Sequence, residues 1–226
     1  MDTGQNQPPA RRRDARRNRE LLIAAAHEVY SEQGVEAPLD VIARRAGVGN
    51  ATLYRHFPTK AALVEEVFRE ALGSIREAGE EARLAASPWA GFTGYLDQVF
   101  ALLAADRGAG DLMTTGLAGV PSLEALHLHN LETVTMLIGR AQEDGTVRGD
   151  ITPEDLLVTL AALGRVAPAL GAASPCAWRR YLALFLDGLR AEAAHPLPAP
   201  SLTSAQLGSF LVELGGHAQK GDGSHA

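Results

Sequence analysis

The sequence predicts an all-α fold, and three observations carry that prediction. Apolar residues recur at three- and four-residue spacing in almost every segment, as they do on one face of a helix. No segment shows the alternation of apolar and polar residues that is typical of strands. Three Ser-Pro or Thr-Pro pairs place an N-cap residue before a proline suited to the first helical turn. At 226 residues and 46% hydrophobic, the chain can bury a sizeable core.

The N-terminal quarter and the segment after it predict four helices. The first carries an apolar stripe and stops at Gly34. Gly47 ends the second, Pro58 closes the third, and Thr59 caps a long fourth helix. The predicted ranges are 15–33, 39–46, 50–57 and 60–84.

The remaining helices are bounded by capping pairs and turns. Ser87-Pro88, Thr152-Pro153 and Ser174-Pro175 each begin a long helix. Pro121 begins another, which Asp144-Gly145 stops, and the proline-rich run 195–200 is a stiff linker before a short last helix. The predicted ranges are 88–104, 109–117, 121–143, 153–171, 175–193 and 204–214.

Composition excludes several classes of protein. The only cysteine, Cys176, gives neither a disulfide framework nor a Cys/His zinc site, so a reducing cytoplasm is expected. The N-terminus lacks the apolar run of a secretory signal. The most membrane-like stretch, 156–178, contains Arg165 and is interrupted by glycines and prolines, which favours a buried helix pair over a membrane span. No cofactor and no membrane partner are predicted.

Charge is unevenly distributed along the chain. The formal net charge is -6, yet residues 1–60 carry ten Lys and Arg against seven Asp and Glu. Within them the segment RRRDARRNR, residues 11–19, sets six arginines against one aspartate. Such a segment can neutralise nucleic-acid phosphates and release counterions. The alternative is that residues 1–14 are only a disordered, solvated tail.

The segment GVGNATLYRHFPTK, residues 47–60, predicts a short helix with an apolar back and a polar front. Leu53 and Phe57 point one way and the polar residues another. A short second helix, a tight turn and a short third helix are the geometry that sets a recognition helix in the major groove. The alternative is a small helical core in which Tyr54 and His56 merely pack. The candidate DNA contacts are Asn50 and Ala51 for base edges, Thr52 beside them, Tyr54, Arg55, His56 and Lys60 for phosphates, and Arg11, Arg12 and Arg13 of the arm.

Residues 21–63 resemble the N-terminal helix-turn-helix of the TetR family of transcriptional regulators. Two positions depart from the usual pattern: Pro38 and Gly49 replace the residues that commonly cap the second and third helices, and Asn50 could take over the latter cap. The residues that match in order and spacing are Ile42, Ala43, Ala46, Gly47, Val48, Thr52, Leu53, Tyr54, His56, Phe57, Lys60 and Leu63.

The resemblance implies a homodimeric repressor that binds a palindromic operator in double-stranded DNA and is released by an unknown small-molecule effector. It divides the chain into a disordered basic arm (1–14), a helix-turn-helix domain (15–60), an effector-binding and dimerisation domain (61–194), and a tail with a linker and short helix (195–226). Two half-sites are also expected physically, because one short helix contacts few base pairs. An alternative is a DNA-binding helical protein without an effector, either architectural or constitutive.

In family members the last two long helices pair with those of the partner. The apolar residues expected at this dimer interface are Leu156, Leu160, Leu163, Leu182, Phe185 and Leu189; the alternative is that they are core of one monomer.

The predicted helices 88–104 and 121–143 supply most of the candidates for an effector pocket, and Met113 and Arg165 come from two other helices. The candidates are Trp89, Phe92, Phe100, Met113, His127, Asn130 and Arg165, of which the polar members could instead be satisfied core or surface groups. His127 and His129 are two apart on a helix and so do not predict a metal site. No GxSxG, HExxH, phosphate loop or informative carboxylate pair occurs, so an enzyme is not expected.

Overall fold

A computed structural model describes residues 9–114, 120–174 and 176–218, without the side chains of 9–12, 113–114, 122, 193, 211–212 and 214–218. Within these residues the chain forms ten α-helices and no strand, which confirms the predicted all-α class. The helices are α1 (Pro9–Gln33), α2 (Leu39–Arg45), α3 (Asn50–His56), α4 (Lys60–Leu84), α5 (Pro88–Ala105), α6 (Arg107–Thr114), α7 (Pro121–Glu143), α8 (Pro153–Ala173), α9 (Ala177–Gly188) and α10 (Ser204–Ala218). The predicted site residues Arg11, Arg12 and Met113 have side chains outside this description.

Three helices begin where their predicted caps place them. The Thr59 hydroxyl accepts the Ala62 N–H at 3.1 Å and starts α4. The Ser87 hydroxyl accepts the Ala90 N–H at 3.3 Å and starts α5. Thr152 forms a capping box with the side chain of Asp155, whose carboxylate accepts the Thr152 N–H at 2.9 Å before α8.

The first helix begins earlier than predicted. It starts at Pro9 instead of Ala15, so the part of the predicted disordered arm from Pro9 onward is helical. Arginine is a good helix former, and an exposed Arg16–Glu20 pair, 3.0 Å apart at i,i+4 spacing, adds to the helix. The basic segment is therefore an extension of α1.

Helix α9 is shorter than predicted at both ends. It begins at Ala177, after Cys176 in the left-handed conformation at φ 63°; the predicted start, Pro175, lies outside the described residues. It ends at Gly188, because the chain then pairs with the loop between α7 and α8: the Arg148 N–H donates to the Leu189 carbonyl at 2.9 Å. A helix that continued to about residue 193 would need these backbone groups for its own hydrogen bonds. Here they bond to the α7–α8 loop instead.

Helix α6 also differs from prediction, starting at Arg107 rather than at 109. The Asp106 carboxylate caps it by accepting the N–H groups of Gly108 at 2.8 Å and Ala109 at 3.2 Å. The same carboxylate accepts the Ser31 hydroxyl of α1 at 3.1 Å. One aspartate thus starts α6 and ties it to the N-terminal helices.

A single hydrophobic core runs through the molecule. Helix α4 packs against α5 and α7, α5 against α8, and α1 against both α2 and α6. Tyr30 of α1 stacks on Phe68 of α4 with ring centroids 6.0 Å apart, and both side chains are fully buried. Helix α2 packs against both α1 and α3, so this helix pair is held on the rest of the chain through α1.

Candidate nucleic-acid interface

The turn between α2 and α3 is a Schellman motif built on Gly47. Gly47 has φ +68°, and its N–H donates to the Arg44 carbonyl at 3.2 Å. The Val48 N–H donates to the Ala43 carbonyl at 3.0 Å. This pair of hydrogen bonds ends α2 sharply and needs a residue that tolerates the left-handed region. The motif fixes the angle at which α3 leaves α2.

Helix α3 has the apolar back and polar front that its sequence predicts. Leu53 and Phe57 are buried in the hydrophobic core. On the other side Asn50, Ala51 and Arg55 are exposed, and Tyr54 is 53% exposed, with Thr52 partly exposed. The N-cap is Gly49, which makes no side-chain capping bond. The seven-residue helix thus presents an outward, mainly polar face on a buried support.

Asn50 occupies the first turn of α3 and is exposed. The N-cap residue of α3 is Gly49, and no side-chain capping hydrogen bond forms there. The Asn50 amide therefore does not take over the cap. Helix α2 likewise begins after Pro38 without a side-chain cap. Both departures from the usual pattern leave helix starts with backbone N–H groups open to an acceptor.

His56 lies differently from the other predicted phosphate contacts. It is half-buried, and its Nε2 is shielded without a hydrogen-bond partner. Burial lowers the pKa of His56, and the charges of Arg55 and Arg19 lower that pKa further. A neutral, half-buried imidazole is a weaker phosphate ligand than the exposed groups beside it, so His56 supports the helix more than it extends its surface.

Lys60 is the first residue of α4, and its ammonium already has a partner. Its Nζ lies 2.7 Å from the carboxylate of Glu36, in the segment between α1 and α2. A phosphate oxygen at this helix start would compete with that carboxylate. The sequence could not predict the pair, because the two residues are 24 positions apart.

Charged side chains connect α1 to α2, to α4 and to the residue that follows α3. The Arg19 guanidinium lies 5.2 Å from the centre of the Phe57 ring and 2.9 Å from the Glu66 carboxylate of α4. The hydrogen bond from Arg19 holds the pKa of Glu66 below its usual value. Arg45 of α2 donates two hydrogen bonds to Glu32 of α1, at 3.1 and 2.8 Å. Pattern analysis missed these residues, since their partners lie on other helices.

The predicted effector-pocket residues lie mostly in packed structure. Phe92 and Phe100 are fully buried, and Phe100 stacks on Trp178. Trp89 is partly buried, with the Arg190 guanidinium 3.9 Å above its ring. Trp89, Phe92 and Phe100 thus make aromatic or cation-π contacts within the protein.

The polar members of that set are separated. Asn130 is buried, and its amide oxygen accepts the Tyr95 hydroxyl at 3.0 Å. His127 is partly exposed, and Arg165 is exposed on α8. Burial raises the pKa of the Asp111 carboxyl, and the nearby charge of Arg165 partly opposes that rise. Two open surface concavities lie elsewhere, one lined by Arg13, Arg16, Arg17 and Glu20, the other by Asp150 and residues 196–201.

The predicted dimer residues divide into two groups. Leu156, Leu182 and Leu189 are buried within the single chain, and Leu160, Leu163 and Phe185 pack partly exposed against the same core. Their place in a dimer interface stays a prediction. The exposed apolar residues of these two helices are Val166 at 47%, Tyr181 at 45% and Leu184 at 58%. Helix α8 is long and apolar enough to cross a bilayer by length and composition alone, and only 22% of its most apolar window is buried in the chain. An apolar face on α8 and α9 is therefore left uncovered.

Two family models match the chain. The model of bacterial regulatory proteins of the tetR family matches residues 22–67, and the model of the SbtR-like transcriptional regulator C-terminal domain matches residues 87–191. Between them these matches cover the helix-turn-helix and helices α5 to α9. The predicted resemblance is confirmed.

Similar proteins agree with these matches. An HTH-type transcriptional regulator of Staphylococcus aureus strain USA300 is 40% identical over 62 residues, which are 27% of this chain and 34% of that protein. The chain thus aligns with about a third of the length of the curated relatives it matches. A TetR transcription regulatory protein from Mycobacterium vanbaalenii is 32% identical over 79% of this chain and 98% of its own, with a TM-score of 0.46.

The fold is also that of more distant solved structures. The regulator FadR from Bacillus subtilis, solved in complex with stearoyl-CoA, is 18% identical over 78% of this chain and 99% of its own, with a TM-score of 0.56. The matching families and relatives are transcriptional regulators and not enzymes. The chain belongs to the TetR family of transcriptional regulators.

Proposed function

We propose that the protein is a cytoplasmic, homodimeric transcriptional regulator that places α3 in the major groove of a palindromic operator. The observation that carries the proposal is the exposed polar face of α3, set on the buried pair Leu53 and Phe57 and held by the Gly47 turn. A helix of seven residues contacts only a few base pairs, so a specific complex needs two half-sites occupied by a symmetric dimer.

The exposed side chains suit distinct parts of a duplex. The Asn50 amide can pair with an adenine edge, and Ala51 can contact a thymine methyl group. The Tyr54 hydroxyl and Arg55 guanidinium are donors suited to phosphate, as is Lys60 once it leaves Glu36. Base readout is thus assigned to the first turn of α3, and backbone positioning to its end and to the start of α4.

Selection from a random-sequence duplex pool tests this assignment. The wild-type protein should enrich a sequence with two-fold symmetry. Asn50→Ala should relax preference at the bases it contacts, while Tyr54→Phe should weaken binding about equally on selected and random duplexes. Arg76→Ala, an exposed residue of α4 remote from α3 in sequence, is the control that should change neither property. An Asn50→Ala protein with unchanged preference and affinity would remove that residue from the interface.

The dimer is proposed to form through the uncovered face of α8 and α9. Val166, Tyr181 and Leu184 present apolar surface that water disfavours. Leu184→Glu should give monomers of unchanged helical content that no longer hold two half-sites about 34 to 36 Å apart. Leu128→Glu, equally exposed on α7, is the matched control and should stay dimeric. If the wild-type protein sedimented as a monomer at micromolar concentration, the dimer proposal would be contradicted.

Release by a small-molecule effector is the form of regulation we propose. The related fold of FadR was solved with stearoyl-CoA, so a fold of this kind can take up a ligand. The specific observation favouring the alternative, a constitutive regulator, is that Phe92, Phe100 and Asn130 are packed or hydrogen-bonded. An effector must therefore open the contact between α5 and α7.

Hydrogen exchange separates the two forms of regulation. An effector-responsive protein should open around Tyr95 and Asn130 by local fluctuations that need less free energy than global unfolding. Amides of α5 and α7 would then exchange in a denaturant-insensitive way at low denaturant concentration. If these amides exchanged only through global unfolding, the constitutive alternative would stand.

A further inference from the structure

Helix α1 extends beyond the core that it supports. Its first fully buried side chain is Leu22, and the side chains of residues 13–21 are exposed or partly buried. Thirteen residues, from Pro9 to Leu21, precede that point, which corresponds to about 20 Å of helix at about 1.5 Å per residue. This N-terminal part of α1, residues 9–19, is called the helical arm below.

The helical arm carries positive charge that the protein does not neutralise. Arg16 pairs with Glu20 at 3.0 Å, and Arg19 is bound to Glu66. Arg13 and Arg17 are exposed, and in the part of the chain that the structure describes neither has a carboxylate partner. Because they are four residues apart, they lie on one face of the helix. Both contribute to the surface concavity at the start of α1.

The base of the helical arm adjoins the recognition helix. Arg19 lies over the ring of Phe57, the residue that follows α3, at 5.2 Å. Arg19 and Arg55 both act electrostatically on His56, which places the two charges on the same end of α3. The helical arm therefore starts beside the end of α3 that carries Arg55, within a protein whose net charge is -6.

We propose that the helical arm is a second DNA-binding surface, in which Arg13 and Arg17 bind backbone phosphates flanking the bases that α3 contacts. The proposal rests on the proposed DNA-binding function and adds a rigid, sequence-independent contact to it. Phosphate contacts position a protein without specifying sequence. An arm that is already helical loses less conformational entropy on binding than a disordered one.

Salt dependence of DNA binding tests the arm charges. The double variant Arg13→Ala/Arg17→Ala removes four charges per dimer from the arm, and alanine preserves the helix. Arg76→Ala removes two charges per dimer from an exposed position of α4 and is the control. Fluorescence anisotropy with a random-sequence duplex and with the duplex selected from the pool is measured at several potassium chloride concentrations.

For the arm variant, the slope of log affinity against log salt should fall by up to about 3.6, at about 0.9 for each lost phosphate contact, and equally on both duplexes. The control should keep the wild-type slope. Equal slopes for the arm variant and wild type would overturn the arm as a phosphate-binding surface and leave the regulator function intact. A wild-type protein that selects no sequence from the pool would instead overturn the proposed function.

A second variant tests the helical order of the arm. Ala15→Pro breaks the helix while keeping every arginine. The expected result is several-fold weaker binding on both duplexes, with a circular dichroism signal reduced only by the arm. Affinity equal to wild type would show that helical order contributes nothing and would overturn the rigid-arm proposal.

Discussion

Gly108 permits close contact between α6 and α1, and replacing it with alanine should push the two helices apart. A Cβ at this position would lie 2.8 Å from Cζ of Phe68 and 3.1 Å from the backbone carbon and the Cβ of Tyr30. The Phe68 ring is the end of a side chain, but it is fully buried and stacked. The backbone of Tyr30 belongs to the last turn of α1 and cannot yield without moving that end of the helix.

The magnitude follows from two opposing effects. Replacing a helical glycine by alanine stabilises a helix by about 0.5 to 1 kcal/mol. Forcing an extra methyl group into a packed interface costs about 1 to 3 kcal/mol. Gly110, two residues further along α6, provides the control, since its Cβ would meet Leu103 atoms only at an ordinary 3.8 Å. Gly110→Ala should therefore stabilise the protein, and Gly108→Ala should fall below it by about 1 to 3 kcal/mol, the size of the packing penalty.

Thermal unfolding of the two variants at one protein concentration measures this difference. For a chain of this size, each kcal/mol corresponds to about 2 to 4 °C in Tm, so Gly108→Ala should melt about 2 to 12 °C below Gly110→Ala. Both proteins share the same helix and the same substitution, so helix propensity cancels. Equal Tm values for the two variants would refute the close packing of α6 on α1.

Three further predictions concern the recognition turn, the start of α4 and the core. Gly47→Ala should cost about 1 to 2 kcal/mol of stability through its left-handed φ of +68° alone, because its Cβ would meet open space, and Gly47→Asn should cost less; chemical denaturation measures both. Glu36→Gln should free Lys60 and strengthen binding to any duplex, whereas Lys60→Ala should weaken it, so weaker binding by Glu36→Gln in anisotropy titrations would contradict the competition. Tyr95→Phe should destabilise the fold by about 1 to 3 kcal/mol, because it leaves the buried Asn130 oxygen without its donor; an unchanged denaturation midpoint would mean that the hydrogen bond contributes nothing.

The helix-turn-helix could be predicted because its determinants are local. Gly34 and Gly47 stop helices through their own positive φ, and Thr59 starts α4 by capping it three residues ahead. The amphipathic division of α3 follows from the four-residue spacing of Leu53 and Phe57. Each of these signals lies within one turn of the structure that it specifies.

The sequence could not predict the features that depend on partners far away along the chain. Helix α9 ends early because Arg148, some forty residues before its end, supplies hydrogen bonds that the helix would otherwise make itself. The pairing of Lys60 with Glu36 joins two segments 24 residues apart, and its role as a phosphate contact stays a prediction. The Asn130 amide likewise accepts the Tyr95 hydroxyl of a neighbouring helix, and its role in an effector pocket stays a prediction. Apolar periodicity identifies the buried face of a helix, but it does not identify the residues that pack against that face.

Helix α8 shows why the proposed interface needed the structure. It is apolar on two sides, so its sequence does not distinguish the face that packs inside the chain from the face that meets a partner. The structure buries the large Leu156 and leaves smaller residues, Ala162 and Val166, outside. Small side chains allow two helices to approach closely, which suits packing against a second copy.

The same outer face favours a protein partner over a bilayer for α8. Arg165 is exposed between Ala162 and Val166, near the middle of the helix. A lipid-facing arginine at the centre of a spanning helix costs about 2.5 to 3.5 kcal/mol or more. At the rim of a helical dimer the same guanidinium stays hydrated while its aliphatic stem covers apolar surface. A face that combines small apolar residues with one central arginine is therefore suited to pairing in water with the corresponding face of a second subunit.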